Sequence, residues 1–167
     1  MTAPESPSAG AAPESLLHDQ LAQDRVRQTL IRYCVCLDEY DIDGVADCFT
    51  EDAVADYGPG RGGVLRGREP IARRIAQGQA DFRRTHHQLG QMQIVVDGHL
   101  ASALSYLTAW HERSSGVREV LCLRYRDQLR LDGGTWRIDQ RMVEMAWADG
   151  FDGVAWRWVE RKPSSAW

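Results

Sequence analysis

Two periodicities divide this chain. Between residues 15 and 40 the apolar positions Leu17, Leu21, Val26, Leu30, Ile31, Cys34, Val35 and Leu37 recur every three to four residues, the spacing of a helix with one buried face. The pattern breaks near Asp24, which predicts a short lead-in helix followed by a main helix with Asp24 as its N-cap. Residues 43–49 predict a second short helix, 53–57 alternate as a strand, 58–63 form a glycine-rich turn and 64–66 a short returning strand. A third helix is predicted over 68–80, with Ile71, Ile75 and Ala76 on one face. From there the period changes to two. Long strands are predicted over 85–96, 101–111, 119–131 and 135–145, with Asp97-Gly98 and Asp132-Gly133-Gly134 as hairpin turns. Helices, a small hairpin, a helix and then an antiparallel meander imply an α+β domain in which helices cover one face of a curved sheet. The cone between them is the default pocket.

The flanks differ from this body. Residues 1–14 carry three prolines among small and polar residues and are expected to be a disordered tail, leaving 15–146 as the domain. Residues 147–167 hold Trp147, Phe151, Trp156, Trp158 and Trp167, so much aromatic surface that the segment is expected to dock on its own domain or on a neighbouring subunit. A chain of 167 residues, 43% hydrophobic and 26% charged, fits one domain. The net charge of -4 gives no reason to expect nucleic acid or an anionic membrane as partner. With no secretory pattern at the start and no apolar run of membrane-spanning length, a soluble, cytoplasmic protein is expected. Cys34, Cys36, Cys48 and Cys122 show no metal-ligand spacing and fit reduced, packed cysteines. No cofactor and no metal are expected. The glycines of 58–63 lack the Gly-Lys-Ser/Thr ending of a phosphate loop and fit a hairpin turn.

The candidate chemistry centres on Thr85-His86-His87-Gln88. Adjacent residues of a strand face opposite sides of the sheet, so one imidazole of the pair faces the cone. Even positions carry His86, Gln88, Gly90, Met92, Ile94 and Val96, the more apolar set further along, and this parity assigns His86 to the pocket and His87 to the outer face. Asp38 falls in register with Leu30, Ile31 and Cys34, on or beside the buried face, where a carboxylate needs a partner. His111 shares its parity with Ala101, Ala103, Ser105, Leu107 and Ala109, small neighbours that leave room for a ligand. Tyr33 and Asp38 lie on adjacent helix stripes that could converge on one pocket, and Tyr57 precedes the hairpin turn.

The helix with Tyr33 and Asp38, Phe49-Thr50-Glu51-Asp52-Ala53, Gly67 with its following helix, Thr85-His86-His87 and Gly134-Thr135-Trp136-Arg137-Ile138 occur in an order that resembles the SnoaL-like branch of the nuclear transport factor 2-like superfamily. The resemblance spans about residues 16–146 and is greatest to the group of scytalone dehydratase, hexachlorocyclohexane dehydrochlorinase and bile-acid 7α-dehydratase. It implies a cone-shaped α+β barrel and a His–Asp dyad inside it, at the matching positions His86 and Asp38. Tyr57 and His111 match catalytic positions of scytalone dehydratase, and Tyr33 matches a tyrosine of the bile-acid enzyme. Arg141 or Arg124 could supply the basic residue found in some relatives. Leu107, Tyr125, Arg141 and Met142 are the expected substrate contacts. The implied activity is a lyase without cofactor, of dehydratase type, on a hydrophobic cyclic substrate, with His86 as base and Asp38 orienting it. The alternatives are an isomerase or cyclase using the same base, or a non-catalytic small-molecule binder or dioxygenase small-subunit-like protein without a His–Asp contact. The resemblance also favours a homotrimer, with a dimer second.

Overall fold

The computed structural model describes residues 13–151 and 153–160. The elements follow in the order α1 (Pro13–Asp38), α2 (Ile42–Asp47), β1 (Phe49–Asp56), a 3-10 turn (Pro59–Arg61), β2 (Val64–Arg66), α3 (Arg68–Gln79), β3 (Phe82–Asp97), β4 (Leu100–Arg113), β5 (Arg118–Asp132) and β6 (Thr135–Asp149). Most of the expected tail, residues 1–12, lies outside the described residues, while Pro13 and Glu14 already belong to α1. The helix runs unbroken through Asp24. That residue is not a cap but an exposed partner of Arg27 one turn on. Leu16, Leu17 and Leu21 of the first turns are exposed, and the buried stripe starts at Val26.

The six strands form one curved, unclosed sheet in the order β2-β1-β6-β5-β4-β3. All neighbours are antiparallel except β1 and β6, which run parallel. This is the expected α+β cone. Alternation explains its inner wall. Ala101, Ala103, Ser105, Leu107, Ala109 and His111 of β4 are buried, as are Leu121, Leu123, Tyr125, Asp127 and Leu129 of β5. From α1, Val26, Leu30, Tyr33, Cys34 and Leu37 pack down onto this wall, and Ile71 and Ile75 of α3 close the side.

The tail beyond β6 docks on its own domain as far as it is described. Met145 N–H donates to the Arg157 carbonyl at 2.7 Å, Val159 N–H donates to the Met145 carbonyl at 2.8 Å, and Arg157 pairs with Asp56 at 2.6 Å. Trp156 turns into the cone, whereas Trp147 and Trp158 are exposed and Trp167 lies outside the described residues.

Candidate active site

The last residue of α1, Asp38, meets β3 at Thr85-His86-His87. Thr85 Oγ1 donates to Asp38 Oδ1 at 2.7 Å, the His87 backbone N–H donates to Oδ2 at 2.9 Å, and His87 Nδ1 lies 2.6 Å from Oδ1. Partial burial pushes the Asp38 carboxyl up, but the His87 ring, the His87 amide and the Thr85 hydroxyl together outweigh it and hold the group down at about 2. The carboxylate is therefore ionised at neutral pH, although it sits at a helix C-terminus that disfavours negative charge. With Asp38 accepting the Nδ1 proton, His87 is fixed in the tautomer whose Nε2 carries a free lone pair. The His87 side chain is only 4% exposed and lines the central cavity, while Asp38 stands behind it with its side chain 25% exposed, at a solvent-side depression shared with Arg83 and Arg84.

This corrects the parity expectation. His86 is exposed on the outer face, and His87 faces the cone. The register of β3 against β4 shifts between Leu89 and Met92, so the inward set changes from Thr85, His87 and Leu89 to Met92, Ile94 and Val96. A bulge at Gly90-Gln91 inserts one residue and inverts every side chain beyond it. Parity carried back from Ile94 and Val96 therefore selects the wrong histidine. The signal was present: apolar Leu89 is out of phase with Met92, and a glycine stands at the break.

His111 extends the dyad. Its Nε2 lies 3.4 Å from His87 Nε2, its ring stacks on Phe82 at 4.4 Å between centroids, and it is 3% exposed. Burial first, then the neighbouring His87 and Arg61, push its pKa down to about 3, so it is neutral. The tautomer compatible with this contact has His111 Nε2–H facing the bare Nε2 of His87, a long contact at 3.4 Å that a substrate proton entering the cavity can displace. His111 Nδ1 is then an acceptor without a partner, 3.9 Å from the equally unpartnered Oε2 of Glu119.

The cavity continues to a tyrosine cluster. Tyr33 and Tyr57 place their hydroxyls 3.4 Å apart, and both phenols are raised in pKa, chiefly by burial, so they remain protonated donors. Tyr125 meets Tyr33 edge-on and also lines the cavity, as does Leu107. Apolar walls from Leu37, Ile75, Leu121, Leu123, Val143 and Met145 complete it. The empty space is about 650 Å³, counting the solvent at its mouth.

Two expected contacts are placed elsewhere. Arg141 is 2% exposed, pairs in two-pronged fashion with Asp127 at 2.8 Å and 2.8 Å, and sits in the corner between the perpendicular Tyr33 and Tyr125 rings, 4.2 and 4.0 Å from their centroids. It lies behind the cavity wall and does not line it. Met142 takes the outer-face phase of β6, between the buried Arg141 and Val143. Arg124 is held by Glu144 at 2.5 Å outside the cavity lining. Among the described residues no group of three or more His, Cys, Asp or Glu is arranged to hold a metal, and no helix is long and apolar enough to cross a membrane.

The fold and the site can now be set beside known proteins. Compared by sequence with curated proteins, the chain matches none at a significant level. Among solved structures, it is similar to a protein assigned as scytalone dehydratase from Novosphingobium aromaticivorans (21% identity, TM-score 0.79, covering 87% of this chain and 99% of the other). It is similar to a hexachlorocyclohexane dehydrochlorinase (15% identity, TM-score 0.69, covering 88% and 98%). It is also similar to a protein of unknown function from Mycobacterium tuberculosis (26% identity, TM-score 0.68, covering 81% and 76%). At these identities the first two likenesses show a shared fold. The SnoaL-like domain model matches residues 19–142, from the second turn of α1 to the middle of β6. The chain therefore belongs to the SnoaL-like domain family.

Proposed function

We propose that this protein is a lyase that eliminates water, or another leaving group, from a small cyclic apolar substrate, with His87 as the base. One observation carries the proposal: the 2.6 Å contact of Asp38 Oδ1 with His87 Nδ1, which leaves Nε2 aimed into an apolar cavity. Nε2 removes a proton from the carbon beside an activating carbonyl, the electron pair becomes the new double bond, and the leaving hydroxyl departs from the next carbon. Asp38 stabilises the imidazolium formed on His87, as the orienting acid does in a catalytic triad. The hydroxyl leaves as water by taking the proton that the imidazolium now carries on Nε2, which returns His87 to its starting form, while the neutral His111 beside it can hydrogen-bond the departing oxygen. The neutral hydroxyls of Tyr33 and Tyr57 are suited to hold the enolate oxygen, a hydrogen-bonding role that needs phenols that stay protonated. The dehydratase and dehydrochlorinase among the structural neighbours support an elimination, and the His–Asp contact argues against a purely structural small subunit.

The test is a panel of cyclic β-hydroxy ketones incubated with the protein, with loss of water followed by mass spectrometry. The elimination reading expects a dehydrated product that disappears in His87→Ala. A rearranged product of unchanged mass, or dehydration that survives in His87→Ala, would overturn it.

A further inference from the structure

The rim of the cavity holds two cations with no counter-ion. Arg61, at the end of the 3-10 turn, and Arg74, from α3, both line the cavity, and neither pairs with a carboxylate among the described residues. Most other charged side chains near the site are matched: Arg113 with Glu119 and Asp81, Arg157 with Asp56, Arg141 with Asp127. Arg61 is instead flanked by the Phe151 and Trp156 rings, 5.8 and 5.9 Å from its guanidinium carbon. Aromatic faces orient a guanidinium without neutralising it. Arg74 Nε donates to the Arg61 carbonyl at 3.1 Å, which ties the two residues together.

Gly78 of α3 makes the convergence possible. A Cβ on this residue would stand 3.0 Å from Arg74 Nη1 and 3.4 Å from Arg61 Nη2. Both guanidinium tips thus gather over the one bare position of the helix. Glycine inside a helix is less favourable than alanine, and what it leaves here is the space the two guanidinium tips occupy. Two like charges held together beside a low-dielectric cavity repel each other, and burial together with Arg74 lowers the Arg61 pKa accordingly. A bound anion relieves both effects, and planar guanidinium groups match a carboxylate in two-pronged geometry.

We infer that Arg61 and Arg74 form an anion subsite and that the cavity takes a cyclic apolar molecule bearing a carboxylate. This rests on the cavity being the substrate site but not on His87 acting as a base. The apolar body would lie against Leu107, Leu121 and Val143 and the carboxylate against the two arginines.

The test is equilibrium binding, read by tryptophan fluorescence and calorimetry, of paired probes: benzoate and benzamide, 1-naphthoate and 1-naphthamide, 2-naphthoate and 2-naphthamide, with 2-naphthyl phosphate as a second anion. Expected is at least one carboxylate binding about tenfold or more tightly than its amide, the worth of one charge-assisted hydrogen-bond pair. The preference falls below about twofold in the Arg61→Gln/Arg74→Gln variant, weakens in Gly78→Ala and shrinks with added sodium chloride. His87→Ala retains it. The assignment is overturned if no carboxylate binds better than its amide, if the phosphate alone is preferred, or if the preference survives loss of both arginines. Retention in His87→Ala separates this outcome from a failure of the base assignment, which turnover reads and binding does not.

Discussion

Two acid–base pairs tie together the elements around this cavity, and they do opposite things. Asp127 and Arg141 face each other across β5 and β6 and are both fully buried, with two parallel hydrogen bonds and two tyrosine rings against the guanidinium. Asp38 and His87 join the end of α1 to β3 through one ring nitrogen and two further hydrogen bonds, at a boundary between solvent and cavity. In the first pair Arg141 Nε and Nη2 and both Asp127 oxygens are spent on one another, away from the cavity. In the second, the acid is ionised and well held, but the imidazole keeps a nitrogen free. A charged pair becomes a reactive group when one partner is an imidazole that presents its second ring nitrogen to a cavity. It becomes scaffold when both are buried, paired in two-pronged fashion and kept off the cavity surface.

The contrast yields ordered expectations. His87→Ala should lower turnover per folded molecule by about 10²–10⁴-fold, the usual worth of a general base. Asp38→Asn should approach that loss, because the amide no longer fixes the tautomer. Arg141→Met should act in reverse. Leaving Asp127 buried without its partner is expected to cost about 3–5 kcal/mol in urea unfolding, and activity per folded molecule should change far less than in His87→Ala. The double replacement Arg141→Met/Asp127→Leu should recover most of that stability, as buried pairs exchanged for apolar residues often do.

Acid should separate the regions as well. The Asp38 carboxyl titrates below its unfolded value of 3.8, at about 2, so its contribution is fully present above pH 4 and is lost as pH falls towards 2. The stability difference between wild type and Asp38→Asn should therefore shrink over that window. His111 titrates at about 3 against 6.5 unfolded, so the unfolded chain takes up a proton that the folded chain refuses, and stability falls as pH drops from about 6.5 to 3. His111→Gln should lose less stability than wild type over this window, as measured by urea unfolding at pH 7 and pH 4. The smallest effect belongs to His86→Ala, whose side chain is on the outer face. Turnover should stay within about twofold of wild type, as is usual for surface changes away from special features.

Much of this was legible in the residues. The period change after α3 and the Asp-Gly turns marked the meander, and the even spacing of Ala101 to His111 placed His111 inside the cone. Asp38 was legible because a carboxylate on a buried stripe demands a partner. The choice between His86 and His87 was not resolved by parity, because parity is conserved only between bulges and one lies at Gly90-Gln91. Arg141 looked like a substrate contact only through the resemblance to relatives with a basic residue near the last strand. Only the cross-strand position of Asp127 shows that its charge is already matched. Arg61 and Arg74 escaped notice because a glycine-rich turn and the exposed side of a helix give no sign of converging until the cone has closed.

The most direct measurement is exchange of solvent deuterium into the α-carbon of a cyclic ketone, followed by NMR for wild type, His86→Ala and His87→Ala under identical conditions. Proton abstraction is read without the leaving group, so the base is tested alone. With His87 as the base, His86→Ala exchanges at the wild-type rate and His87→Ala falls to the uncatalysed background. Exchange that persists in His87→Ala and vanishes in His86→Ala would contradict the assignment.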